Sequence, residues 1–164
     1  MPLLSILRFP DPRLKLPSEP VTEFDARLKR LAEDLLETMR AAPGVGMTAA
    51  HVGVPKRIVV IELDRQKEPQ FYVNPKVLSA SPEIAVHEEG SVSMPGAVEE
   101  ISRPRSIRVA YYDLDGTHHE SDADGFLATC LQHEIDQLDG IFWLQRLSRL
   151  KRERLIRKWE KSHR

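Results

Sequence analysis

Cysteine is nearly absent from this chain: its 164 residues include one, Cys130. One cysteine cannot close an internal disulfide, so a disulfide-stapled scaffold is excluded, and a reducing compartment, the cytoplasm, is the expected location. Aromatic residues are sparse at 6%. No apolar run approaches the ~18 residues that read as a membrane span, and no basic-then-apolar leader opens the chain. Neither sign of charge is in excess, with 24 Lys and Arg against 25 Asp and Glu. No global field therefore selects nucleic acid or an acidic partner. Internal repeats and low-complexity tracts are missing as well. Proline is not scarce: twelve of them cut the chain into short segments, as in a sheet-rich fold with many connections. The length suits one domain, residues 1–164, with a real core.

Periodicity places the elements. Thr22-Glu23-Phe24-Asp25 resembles a capping box. Leu28, Leu31, Ala32, Leu35, Leu36 and Met39 follow at helical spacing, and Pro43-Gly44 ends that helix. Arg57 to Leu63 reads as a buried strand. Gln70 to Val73 and Lys76 to Leu78 read as two short strands parted by Asn74-Pro75. Ile107 to Asp113 alternates and runs into Asp115-Gly116, a hairpin turn signal that leaves His118-His119 exposed beyond it. Asp124 is placed to cap a helix with Phe126, Leu127, Cys130, Leu131 and Leu138 on its apolar positions, stopped by Gly140. A basic helix closes the chain at about 149–161. The expectation is α+β: short mixed or antiparallel sheets around a central helix.

That central helix carries the chemistry. Gln132-His133-Glu134-Ile135-Asp136-Gln137 nearly spells H-E-x-x-H, in which two imidazoles four residues apart share a helix face and hold a metal while the Glu activates bound water. His133 and Glu134 are in place. Gln137 stands where the second His belongs.

Two further segments join it in order: Gly44-Val45-Gly46-Met47-Thr48-Ala49-Ala50-His51 and Glu88-Glu89-Gly90-Ser91-Val92-Ser93. Together the three resemble the motifs of peptide deformylase, G-x-G-L-A-A-x-Q, E-G-C-L-S and Q-H-E-x-D-H. The likeness extends to the opening Phe9-Pro10-Asp11-Pro12-Arg13-Leu14, to Val73-Asn74-Pro75 and to the basic C-terminal helix. The resemblance implies an α+β domain in which a Cys and two His hold a divalent ion, often iron. It implies removal of the formyl group from the N-terminal methionine of new chains. In that chemistry the ion lowers the pKa of bound water from about 15.7 to about 7, and a Glu moves the proton. Carried over by position, the ligand sites are Ser91, His133 and Gln137, the base is Glu134, and His51 with the Val92 N–H would hold the oxyanion. Val45, Phe126, Thr129 and Cys130 would line the methionine pocket, while Gly46 and Gly90 would let the peptide backbone approach. The C-terminal helix would face the ribosome, whose phosphates attract Lys and Arg.

Two of the three ligand positions are thus altered. A serine hydroxyl stays neutral where a thiolate is an anionic soft ligand, and an amide oxygen is a poor donor to iron or zinc. At about 3–4 kcal/mol per ligand, losing both costs roughly 6–8 kcal/mol of metal affinity. No cofactor is expected at high occupancy, with divalent iron or zinc only if a weak site survives. Ser91 and Gln137 then read first as a hydrogen-bonded polar cluster, His51 as a histidine bonded near Glu89, and His87 as a second histidine of the same cleft. Three functional readings stay open. One is a low-activity amidohydrolase with a weak metal site or one rearranged around His133 with His51 or His87. Another is a non-catalytic binder of N-terminal (formyl-)methionyl peptides or the ribosome. The third is metal-free chemistry in which Ser91 hydrogen-bonds His133.

Overall fold

A computed structural model describes residues 3–163. The first helix, α1 (Ala26–Ala41), buries Leu28, Ala32, Leu35, Thr38 and Met39. Its cap is Asp25, whose Oδ1 accepts the Leu28 N–H at 3.1 Å, not Thr22. A carboxylate one residue before the helix reaches the free N–H groups of the first turn, while Thr22 lies too far upstream.

Seven strands follow: β1 (Gly46–Thr48), β2 (Ile58–Ile61), β3 (Gln70–Ala80), β4 (Ile84–Glu89), β5 (Glu99–Pro104), β6 (Ser106–Tyr112) and β7 (His118–Asp124). The antiparallel order β1-β2-β3-β6-β7 makes one sheet, and β4-β5 a separate two-stranded one. The two short strands expected around Asn74-Pro75 are one strand, β3. Its ladder to β6 shifts register between Val73 and Lys76, where Pro75 has no N–H to give. Asn74 takes a positive φ of 51°. Its side chain accepts the Val21 N–H at 2.8 Å and donates to the Val21 carbonyl at 2.9 Å. An irregular peptide is thereby turned into a clamp on the N-terminal segment.

The central helix, α2 (Gly125–Leu138), is buried from Ala128 through Leu138 except at Gln132. Asp124 is its N-cap residue, but its carboxylate accepts from the Ser106 hydroxyl rather than capping the helix. Gly140 ends the helix with a φ of +79°, and a Cβ there would lie 2.5 Å from the Lys15 carbonyl oxygen. Glycine is required there by both conformation and space. The last helix is α3 (Arg149–Ser162).

Alternation in β2 organises the core. Val59 and Ile61 face the α2 residues Cys130, Leu131, Ile135 and Leu138, while Ile58 and Val60 face the α1 side with Leu28, Leu35, Met39 and Met47. Successive strand side chains point to opposite faces, so four consecutive apolar residues fit a sheet covered on both sides. A third cluster gathers Leu14, Met94, Ile101, Phe142, Trp143 and Leu155 under the C-terminal helix. Among the described residues no helix is long and apolar enough to cross a membrane.

Candidate active site

A cleft of about 370 Å³ opens between the β1 segment, the end of β4 and α2. It is lined by Val45, Gly46, His51, Gly90, Ser91, Val92, Phe126, Thr129, Cys130, His133 and Glu134. Every residue singled out for the site except Gln137 and His87 therefore lines one cavity. Segments some forty residues apart in sequence converge because β1 and the Gly90 loop flank one face of α2.

Gln137 lies one turn beyond His133, 2% exposed, and is absent from the cleft wall. Its Nε2 donates to the Leu14 carbonyl at 2.6 Å. The expected polar cluster with Ser91 does not form among the described residues. Ser91 Oγ instead accepts the Ser93 N–H at 3.1 Å.

His133 is steered from behind. Its Nδ1–H donates to Glu89 Oε1 at 2.9 Å, which turns the other ring nitrogen away from Glu89. The Ser91–His133 hydrogen bond weighed from sequence is not made among the described residues. Glu89 is held in turn by Arg103, with Nε to Oε2 at 2.7 Å and Nη2 to Oε1 at 2.9 Å. Arg103 Nη1 reaches Asp136 at 2.9 Å, and Arg146 closes the chain on Asp136 at 2.8 and 2.7 Å. Two carboxylates and two guanidiniums alternate, so the buried charges of Glu89, Arg103 and Asp136 are matched, with Arg146 closing the network from the surface. Burial would raise the Glu89 carboxyl, but His133 and Arg103 hold it below its ordinary range. Burial would lower the His133 imidazole, but the Glu134 charge and the Glu89 hydrogen bond raise it.

Glu134 has no such support. Burial pushes its pKa up to about 7, opposed by His133, and its Oε1 is buried without a hydrogen-bond partner. A Cβ on Gly46 would sit 2.8 Å from Glu134 Oε2, and one on Gly90 would sit 2.9 Å from the Ala97 carbonyl oxygen. These two glycines make room for the protein's own atoms, which is a nearer reason for them than the approach of a peptide.

His51 is 1% exposed. Its Nδ1 lies 3.0 Å from the Thr48 N–H and 2.9 Å from Thr48 Oγ1. It is therefore paired with Thr48 and not with Glu89. Burial, with His133 nearby, drives its pKa down to about 3. His87 bonds Thr129 Oγ1 at 3.0 Å and does not join the cleft wall. The Val92 N–H finds no acceptor among the described residues. Cys130 is 7% exposed, its thiol pushed up to about 12 by burial, with Glu134 and Glu89 adding to the shift. Among the described residues no group of three or more His, Cys, Asp or Glu side chains is arranged to hold a metal ion.

Sequence reasoning missed Arg103 and the role of Thr48. Arg103 sits on β5, whose Glu-Glu-Ile-Ser-Arg-Pro carries no strand signal. Thr48 was visible as a departure from Ala in the first motif, beside the departure of His51 from Gln.

A family model described as polypeptide deformylase matches residues 3–153. A Brucella melitensis protein called peptide deformylase-like is 59% identical over 159 residues, 97% of this chain and 97% of its own. An Afipia carboxidovorans peptide deformylase is 45% identical over 165 residues, 99% of this chain and 96% of its own. The solved peptide deformylase of Ehrlichia chaffeensis in complex with actinonin is similar with a TM-score of 0.93 at 41% identity, covering 100% of this chain and 99% of that one.

Proposed function

The chain belongs to the polypeptide deformylase family, and on that premise we propose that its cleft takes N-terminal (formyl-)methionyl peptides while metal-dependent deformylation is lost or strongly reduced. The observation that carries this reading is the donor set at the three ligand positions. His133 keeps its imidazole. Ser91 offers a neutral hydroxyl already accepting from Ser93. Gln137 spends its amide N–H on Leu14. Iron or zinc, the ions such a family site uses, does not fit one imidazole, one hydroxyl and a remote amide. No catalytic step is therefore assigned to an ion here.

The rest of the site supports retained binding. Val45 from the β1 segment and Phe126 and Cys130 from α2 give the cleft apolar lining, with Thr129 among them, and the Val92 N–H finds no acceptor among the described residues. Apolar walls with a few placed polar groups are the usual makeup of a ligand site. Glu134 is a buried carboxyl able to hold or release a proton near neutrality, but a water with pKa about 15.7 is a poor source of hydroxide for it. We further infer a cytoplasmic protein of one domain whose exposed basic α3 face meets ribosomal phosphate, in line with the Lys and Arg that dominate Arg149–Ser162.

The deciding experiment has three parts on one preparation: metal content, turnover of formyl-Met-Ala-Ser, and calorimetric binding of that peptide. Expected are well under one equivalent of iron, zinc or nickel, turnover orders of magnitude below a family member with Cys and two His, and measurable binding. Near-stoichiometric metal surviving dialysis against a weak chelator, with turnover abolished by Glu134→Ala, would restore the enzyme reading. Absence of binding at millimolar peptide would remove the binding reading.

A further inference from the structure

A second groove, of about 590 Å³, shares no lining residue with the cleft. It lies among the N-terminal segment, residues 142–145 and α3. Phe9, Phe142, Leu144 and Ile156 give it an apolar lining, and Lys15 and Arg152 bring two positive charges to it. The apolar part is set before any ligand arrives. Phe9 stacks on Phe142 with ring centroids 5.6 Å apart and planes 11° apart, and Trp159 meets Phe9 edge-on at 5.9 Å. Phe142 and Leu144 are buried in the third core cluster. Arg152 and Ile156 are four residues apart on α3, so they share a helix face. The two charges are unmatched. Asp11 is held by Arg13 at 2.8 Å and Glu153 by Arg149 at 3.0 Å. Among the described residues neither Lys15 nor Arg152 makes an ion pair, and no acidic side chain lines the groove.

We propose that this groove binds a single-chain carboxylic acid, a medium-length acyl tail ending in one carboxylate. The tail lies on Phe9, Phe142, Leu144 and Ile156, where every CH₂ removed from water adds affinity. Arg152 meets the carboxylate with a planar fork that matches its two oxygens, and Lys15 adds the second charge. Gln145, the remaining lining side chain, brings an amide N–H. A hydrocarbon tail needs no other partner. A peptide would bring a backbone N–H and C=O at every residue, and one neutral polar side chain is a poor match for them. An inorganic anion would leave the apolar lining uncovered. A neutral chain would leave both cations unused, and a cationic one would be repelled by them. Walls already packed against each other lower the ordering cost of binding. The site stands apart from the cleft, so it does not depend on whether that cleft takes peptides.

The test is NMR titration of the intact protein with monomeric octanoate, with octanol and octylammonium as neutral and cationic chains of the same length, and with acetyl-Ala-Leu-Phe as a peptide carboxylate. Octanoate should shift the Leu144 and Ile156 methyl resonances and bind about tenfold tighter than octanol, the size of one charge-assisted hydrogen bond. Octylammonium should bind more weakly than either. Affinity should rise about threefold per CH₂ from hexanoate to octanoate. Arg152→Gln and Lys15→Gln change side chains that reach the surface, so both variants should fold. Each should weaken octanoate about threefold or more while sparing octanol, a split that a merely structural role would not produce. Octanol binding as tightly as octanoate, octanoate binding untouched by both Gln variants, or shifts confined to cleft residues such as Val45 would each overturn the inference. So would the absence of any shift at millimolar octanoate. Tighter binding of acetyl-Ala-Leu-Phe than of octanoate would assign the groove to a protein C-terminus and overturn it as well.

Discussion

Gln137→Leu separates what Gln137 does now from what a histidine there would do. The Gln137 side chain is 2% exposed, and its Nε2–H is the donor the structure supplies to the Leu14 side of the chain, at 2.6 Å. Leucine has nearly the same volume, so packing is conserved and the hydrogen bond alone is removed. The Leu14 carbonyl, on a residue 1% exposed, is then left without that donor in a dry site. An unsatisfied buried acceptor costs about 1–3 kcal/mol. For a domain of this size that lowers Tm by roughly 2–4 °C per kcal/mol. Thermal and urea denaturation in chelator should show the fall with an unchanged m-value. Gln137→His combined with Ser91→Cys should behave differently. It should share the loss in chelator and then gain stability when zinc is added, because each restored ligand returns about 3–4 kcal/mol of metal affinity. Gln137→Leu at wild-type stability would refute the claim that this amide is a structural tie. A folded double variant indifferent to zinc would refute the claim that ligand identity is the site's defect.

Arg103→Met should destabilise the protein by about 3–5 kcal/mol in urea denaturation, because it strips a buried partner from Glu89 and Asp136; a loss under about 1 kcal/mol would mean that water reaches this network. Cys130 should resist thiol reagents at pH 8 in the native protein and react promptly in urea, since the fold raises its pKa to about 12 and only the thiolate attacks. The sign is that of a group kept neutral by folding. Whatever stability this thiol contributes is present below the unfolded value near 8.5 and is lost as pH rises toward 12. Native labelling as fast as unfolded labelling would show an open, ionised thiol.

Much of the architecture was legible in order and period. The apolar spacing of Leu28 to Met39 placed α1, the run Ile58-Val59-Val60-Ile61 placed the buried strand β2, and three motifs in sequence placed most of the cleft wall. Strands β4, β5 and β7 were not legible. Ile84-Ala85-Val86-His87-Glu88-Glu89 and His118-His119-Glu120-Ser121-Asp122-Ala123-Asp124 sit in a two-stranded sheet and at a sheet edge. There one face or one side meets water, so polar residues are tolerated and β-propensity says little. His118 is exposed as the turn signal implied, while His119 folds back 2.8 Å from Asp113.

By itself the sequence determined the family, the approximate elements and, Gln137 and His87 apart, the polar groups that line the cleft. Tertiary structure decided the pairings. Gln137 meets a carbonyl 123 residues away, and Arg103 reaches Glu89 and Asp136 from an unsignalled strand. The reason is physical. Periodicity and motif spacing record which face of an element a residue occupies. A buried hydrogen bond depends on which donor and which acceptor are brought within about 3 Å of each other once all elements have packed.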